Sequence, residues 1–309
     1  MDIKIGALLW PQTNSWPTLR DAAIRADEVG LDSLWTWDHL NAIVGPWEQP
    51  ILEGWTTLAA LAVVTKKPTL GLMVGANTFR NPGLTAKLAT TLDHVSDGRA
   101  VLGIGGAWFE REHDAFGFET WGSGFPERLD RLDESVMLLR RLLDGEHVTH
   151  EGRFYTFHDA LCEPRPVQAH LPILIGGSGP KKTLRTVALR GDAWNTSGTI
   201  DEVKAKLAIL DEHCSAAGRD RSEIELTISF PITIRDEVAA AEVAALGAFR
   251  ANGVENAGAG PHLYGPPDAI AAAIAPFRDL GFETVICRMP APFDAETIDR
   301  MADVWAQLA

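Results

Sequence analysis

Eight short β-rich runs, each followed by a stretch of helical period, constrain this chain more than anything else in it. The strand-like runs cover residues 3–9, 33–37, 69–75, 100–104, 173–176, 193–196, 225–230 and 283–288. Between and after them lie helical stretches at 18–29, 55–65, 83–95, 126–143, 180–189, 200–217, 237–251 with 268–279, and 295–308. Apolar runs too short for a helix, alternating with longer amphipathic segments, are the pattern of βα units building a parallel sheet. Gly30 after the first helix, and Pro82, Pro126 and Pro180 near helix starts, supply the expected punctuation. Eight such units predict an α/β protein built as a (β/α)8 TIM barrel, with insertions after strand 4 and before strand 5, and with residues 1–309 as one domain. The rival is an open doubly wound sheet, but the first strand runs into "WPQTNSWP" rather than a GxGxxG turn.

The two insertions span residues 105–125 and 145–172, both longer than ordinary βα connections. The first leaves the C-terminal end of a strand, where barrel active sites are built, and is the natural lid or substrate wall.

Composition narrows the partner. The chain's 46% hydrophobic content is enough for a sizeable core. Its net charge of −14 argues against general affinity for nucleic acid or an anionic membrane, which leaves a small-molecule substrate. No run reaches the roughly 18 consecutive apolar residues of a membrane span, and the start "MDIKIGALLWPQ" lacks the basic, cleavable pattern of a signal peptide, so a cytoplasmic location is expected. Cys162, Cys214 and Cys287 are far apart and in no metal-ligand spacing. The first strand ends "LLWPQ" instead of HxH, and the histidines form no tight cluster, so no metal is expected.

Three places could carry chemistry. Asp38 and His39 close the second strand, "SLWTWDHL", at what would be the active-site rim. A histidine there can move a proton near neutral pH and a neighbouring carboxylate can bond a cofactor; a capped strand-end turn is the competing reading. "ILIGGSGPKKTLRTVA" places Gly176, Gly177, Ser178 and Gly179 between a strand and a helix opening with Lys181 and Lys182, either a phosphate cradle or an ordinary tight turn. "LGIGGAWFERE" offers glycines and Trp108 as walls for a flat ligand, followed by Glu110, Arg111, Glu112 and His113, to which the sequence assigns no roles.

Taken together, "GLDSLWTWDHL", "LGLMVGANTFRNPGLTAKLATTLDHVSDGRAVLGIGGAW" and "PRPVQAHLPILIGGSGPKKTLRTVALRGDAWNTSG" resemble the luciferase-like monooxygenase superfamily, and more narrowly its branch of coenzyme F420-dependent oxidoreductases. The resemblance implies a barrel with a tricyclic ring bound at its mouth and a non-prolyl cis peptide at Met73–Val74 behind that ring. Such a bond is unfavourable by about 3 kcal/mol or more and persists where it shapes a site. It implies that Asp38 contacts the ring system and helps position His39, the acid/base group. Met73, Val74, Ala76 and Trp108 would line the ring pocket, while Gly176, Gly177, Ser178 and Gly179 hold the cofactor phosphate with Thr196 beside them. The implied activity is hydride transfer between coenzyme F420 and a small organic substrate, by a homodimer. The alternatives are an FMN-dependent monooxygenase fed by a separate reductase and a non-catalytic flavin-binding protein. In the sugar-phosphate dehydrogenase of this family a glutamate stands where this chain has Trp108, and Arg111 replaces an amide residue. With no dedicated basic pocket visible, an apolar or aromatic substrate is expected in place of a phosphorylated sugar.

Overall fold

In the computed structural model, which describes residues 3–256 and 260–308, the chain forms a closed parallel barrel inside a shell of helices. Its elements run β1 (Lys4–Leu9), α1 (Trp16–Glu28), β2 (Ser33–Thr36), α2 (Gly54–Val64), β3 (Thr69–Leu72), β4 (Gly75–Ala76), α3 (Pro82–Ser96) and β5 (Ala100–Gly105). There follow α4 (Glu110–Phe116), α5 (Phe125–Leu143), β6 (Val148–Glu151), β7 (Thr156–Ala160), β8 (Ile173–Gly176), α6 (Thr183–Arg190), β9 (Ala193–Thr196) and α7 (Ile200–Ala217). The last elements are β10 (Glu225–Ile234), α8 (Val238–Ala251), β11 (Leu263–Gly265), α9 (Pro267–Asp279), β12 (Thr284–Met289) and α10 (Ala295–Leu308). The main sheet has ten strands; β4 continues β3 and β11 is added beside the far end of β10, which leaves an eight-membered ring closed where β10 pairs with β9 and β12 with β1.

Strand alternation builds the two layers. Along β1, Ile5, Ala7 and Leu9 pack outward with the helices, whereas Leu8 joins Trp10, Trp35 and Trp37 in a separate cluster with Leu174 and Ile286. On β2 the same period sends Leu34 to the helical layer and Trp35 inward. Helix starts follow their capping chemistry: Glu53 accepts from the N–H groups of Trp55 and Thr56, Asn81 from Gly83, and Thr199 forms a capping box with Glu202.

The structure departs from the sequence expectations in four places. The insertion before the fifth barrel strand, for which the sequence indicated only unusual length, holds β6 and β7 as an antiparallel hairpin, with Glu134 of α5 accepting from the Phe154 and Tyr155 amides at its turn. The insertion after the fourth strand contains α4, which at seven residues is too short for periodicity to reveal. The seventh strand continues past Pro231 to Ile234, where β11 takes over from β9 as the neighbour on that side. The third strand is interrupted after Leu72, and the Met73–Val74 peptide is cis, at the position the resemblance implied. Val74 then turns toward β5 and β8, and two glycines make room for it: a Cβ on Gly105 would lie 2.7 Å from its side chain, and one on Gly176 2.8 Å.

Candidate active site

A cavity of about 380 Å³ opens among the ends of β2, β4, β5 and β8. Eight residues singled out from the sequence line it together: Asp38, His39, Met73, Val74, Ala76, Trp108, Gly176 and Gly177. Ser178, Gly179 and Thr196 lie just beyond, in the turn after β8 and at the end of β9. Trp37, Phe79, Phe109 and Phe125 complete an apolar wall suited to a flat aromatic ligand.

His39 is held by a residue the sequence left without a role. Its Nδ1 lies 2.9 Å from Oε2 of Glu112 on α4, while Oε1 of the same carboxylate accepts from the Asn41 amide at 2.9 Å and from the Leu40 amide. Glu112 is only 1% exposed, so it is a buried acceptor with all its bonds directed at the loop after β2. A carboxylate can only accept from these partners, which fixes the proton of a neutral His39 on Nδ1 and leaves Nε2 as its free nitrogen. Trp108 and Phe109 stack with centroids 5.3 Å apart, and Trp108 meets the His39 ring edge-on at 5.6 Å. No short-range signal links Glu112 to His39, 73 positions earlier; only folding of the lid brings them together.

The other lid residues have separate duties. Arg111 places its guanidinium 3.5 Å above the Trp47 ring, a second tie between α4 and the loop after β2. His113 points inward, with Nδ1 donating to the Phe109 carbonyl at 3.2 Å and Nε2 facing the Thr78 hydroxyl at 2.6 Å. Burial pushes its pKa below the usual histidine value, against the Phe109 carbonyl, so the ring is a neutral packing group beside Trp121 and Phe79. Glu110 is exposed on the lid.

Asp38 has partners other than those expected. Resemblance and adjacency gave it the task of positioning His39, but that carboxylate is Glu112. Asp38 takes a two-pronged bond from Arg80, at 2.6 and 3.0 Å, and accepts from the Ala76 amide at 2.9 Å. Arg80 reaches on to Glu53, 2.9 Å away, so one guanidinium ties the ends of β2 and β4 to the start of α2. Burial opposes the charge on Arg80, yet Asp38 and then Glu53 outweigh it and raise its pKa. For Glu53 burial pushes the pKa up, and the Thr56 and Trp55 amides together with Arg80 outweigh it and hold the pKa below the ordinary carboxylate range. Asp38 therefore reaches the cavity already neutralised, shaping the wall that contains Ala76.

The glycine turn is also reorganised relative to expectation. Helix α6 begins at Thr183, not at Pro180, and Lys182 bonds to Asp130 at 2.5 Å, so this lysine is committed outside the cradle. What the turn offers instead is Gly177 at φ +118°, fixed through its carbonyl by the Trp194 indole at 2.7 Å, and a Ser178–Thr196 hydroxyl pair 2.9 Å apart. A cation that sequence reasoning missed stands there: Lys206 of α7 bonds to the Ser197 carbonyl at 2.7 Å and lies 3.4 Å from Thr196 Oγ1. Burial lowers its pKa despite Glu202 nearby. Two paired hydroxyls, a backbone turn that a side chain would strain, and one half-buried ammonium fit an anionic group at the end of a flat ligand.

Among the described residues no group of three His, Cys, Asp or Glu side chains could hold a metal ion, no helix is long and apolar enough to cross a membrane, and the cysteines are buried free thiols.

Solved structures share this fold. A secondary alcohol dehydrogenase described as F420-dependent, solved with an F420–acetone adduct, superposes with a TM-score of 0.86 at 22% identity over 100% of both chains. The F420-dependent tetrahydromethanopterin reductase of Methanopyrus kandleri does so at 0.80 and 19% identity, covering 98% of each. F420-dependent glucose-6-phosphate dehydrogenases of Microbacterium testaceum and Kineococcus radiotolerans are both 34% identical, over 70% and 72% of this chain. The matched region spans 63% and 66% of those relatives' own length. The model of the luciferase-like monooxygenase family fits residues 3–284, and the chain belongs to that family.

Proposed function

We propose that the protein is an oxidoreductase that transfers a hydride between coenzyme F420 and a small organic substrate. The observation that carries this reading is the pairing of a buried Glu112 with His39 at the rim of an apolar, glycine-floored slot: a proton-transfer group fixed beside a place for a flat ring. Gly105 and Gly176 leave the room that the Val74 side chain takes at the floor of the slot, since a Cβ on either would collide with it. Ala76, Val74 and Trp108 would bound the ring, and Gly177, Ser178, Thr196 and Lys206 would hold the phosphate of the side chain. When bound, the deazaflavin supplies the two-electron chemistry. His39, protonated on Nδ1 toward Glu112, takes or returns the substrate's proton at Nε2. The names of the 34%-identical relatives support the choice of F420.

The glucose-6-phosphate activity in those names does not extend to this chain in our reading. Trp108 occupies the rim position where the resemblance implies an acid, and it is 60% exposed beside His39. A substrate with an apolar or aromatic body suits that wall better. We further infer a cytoplasmic homodimer, which light scattering of the purified protein tests.

Fluorescence titration with oxidised F420 and, in parallel, with FMN tests the cofactor. Micromolar binding of F420 with weak FMN binding is expected. The reverse preference would move the function to a flavin monooxygenase, and binding of neither would refute the reading.

A further inference from the structure

Next to the ring slot lies a second cavity of about 460 Å³, lined by Trp10, Trp37, Phe249, His262 and Arg288 among others, and sharing Trp37, Ile43, Met73 and Asn195 with the first. Its aromatic side is continuous: Trp10 packs on Trp37 at 4.9 Å between centroids and meets Phe249 edge-on at 5.8 Å.

The polar content of this lining is one-sided. Its described residues include no carboxylate. Arg288, at the C-terminal end of β12, is half-buried and makes no hydrogen bond or ion pair with any described residue. Its Nε is covered and without an acceptor, as are the indole nitrogens of Trp10 and Trp37. Burial lowers the Arg288 pKa, with the neighbouring Cys287 thiol acting weakly the other way and no carboxylate among the causes, in contrast to Arg80, which has two carboxylates. A guanidinium held out of water without a counter-charge is unfavourable unless something supplies one. The walls are aromatic, so the missing partner is an anionic end on an apolar body.

We propose that this cavity is the substrate subsite and that Arg288 selects a substrate carrying a carboxylate at one end of an apolar or aromatic skeleton. The proposal rests on the hydride-transfer reading for what happens at the other end of the substrate, next to His39. It does not rest on it for recognition, because the cavity exists without cofactor. A lone arginine with two terminal nitrogens matches a carboxylate bidentately, and the hydrophobic length between it and the shared Trp37 wall holds the skeleton.

The test uses quenching of intrinsic tryptophan fluorescence, since Trp10 and Trp37 line the cavity, with 4-phenylbutyrate and its neutral analogue 4-phenylbutanol as probes. The wild type is expected to bind the carboxylate roughly ten- to hundredfold more tightly, the worth of one charge-assisted hydrogen-bonded pair. Arg288→Gln is expected to remove the preference while leaving 4-phenylbutanol and F420 binding within threefold. Arg288→Lys should keep part of it and serves if the glutamine variant does not fold. Equal affinity for the two probes in the wild type, or a preference that survives in Arg288→Gln, would overturn the proposal. Failure of F420 to bind while the carboxylate preference holds would sink the cofactor assignment and leave this subsite standing.

Discussion

Glu112→Gln separates a positioning role from a packing role because the two side chains have nearly the same shape. In the wild type, one oxygen of Glu112 serves two backbone amides and the other faces His39 Nδ1 at 2.9 Å. A glutamine that keeps its oxygen on the amides of Leu40 and Asn41 must turn its NH2 toward His39. Nδ1 then has to accept, and the imidazole proton moves to Nε2, where the proposed base needs a lone pair. Exchanging one charge-assisted bond for a neutral one lowers stability by about 1–2 kcal/mol, which for a chain this size is a fall in Tm of roughly 2–3 °C. The effect on chemistry is larger, since losing a bond worth about 2–3 kcal/mol in the transition state slows turnover roughly 30- to 150-fold. The direct assay is ¹⁵N NMR of histidine-labelled protein at pH 8, where the shifts of Nδ1 and Nε2 report which nitrogen carries the proton. The wild type should show His39 as the Nδ1–H form and the variant as the Nε2–H form, with F420 affinity changed less than threefold. If the variant keeps the Nδ1–H form, Glu112 does not set the state of His39 and the positioning argument fails.

Arg80→Ala leaves the buried Asp38 carboxylate without its cation, which should lower stability by about 3–5 kcal/mol and Tm by roughly 5–8 °C; adding Asp38→Asn should recover part of that loss, and strictly additive effects would contradict the pairing. Gly176→Ala pushes a methyl to within 2.8 Å of Val74, so calorimetry should show a loss of about 1–3 kcal/mol and fluorescence a weaker F420 complex; unchanged F420 affinity would remove this glycine from the ring floor. Because the folded-state pKa of His113 is depressed, the unfolded chain takes up its proton first as pH falls. The contribution of His113 to stability is therefore complete above about pH 6.5 and is lost below it, down toward the folded-state value. Denaturant titrations across pH 5–8 should show a slope that vanishes in His113→Gln, and a slope that persists there belongs to another group.

The barrel was legible because its signal is distributed. Each strand and helix contributes a few apolar residues at period 2 or 3.6, and eight repetitions of a weak pattern outweigh local errors such as the early stop at Pro231. What escaped notice was short or set by contacts distant in sequence. The hairpin β6–β7 depends on Glu134 of α5 accepting from Phe154 and Tyr155, and helix α4 on the lid contacts that Glu112 and Arg111 make with the loop after β2.

The site divides along the same line. Residues whose task is carried by the backbone or by a strand end, such as Gly176, Gly177, Ala76 and His39, could be placed from local pattern and resemblance, because their chain position is their spatial position. Charged residues could not, because a charge acts through a partner that the linear order conceals. Asp38 sits next to His39 in sequence yet bonds to Arg80, 42 positions away, while the carboxylate that holds His39 comes from the lid. Lys182 lies beside the cradle in sequence and turns away to Asp130, while Lys206 arrives from the following helix. Arg288 follows the same logic in reverse, since no carboxylate among the described residues bonds to it. In a cavity whose described lining residues include no carboxylate, this cation marks where the protein leaves a role for its substrate.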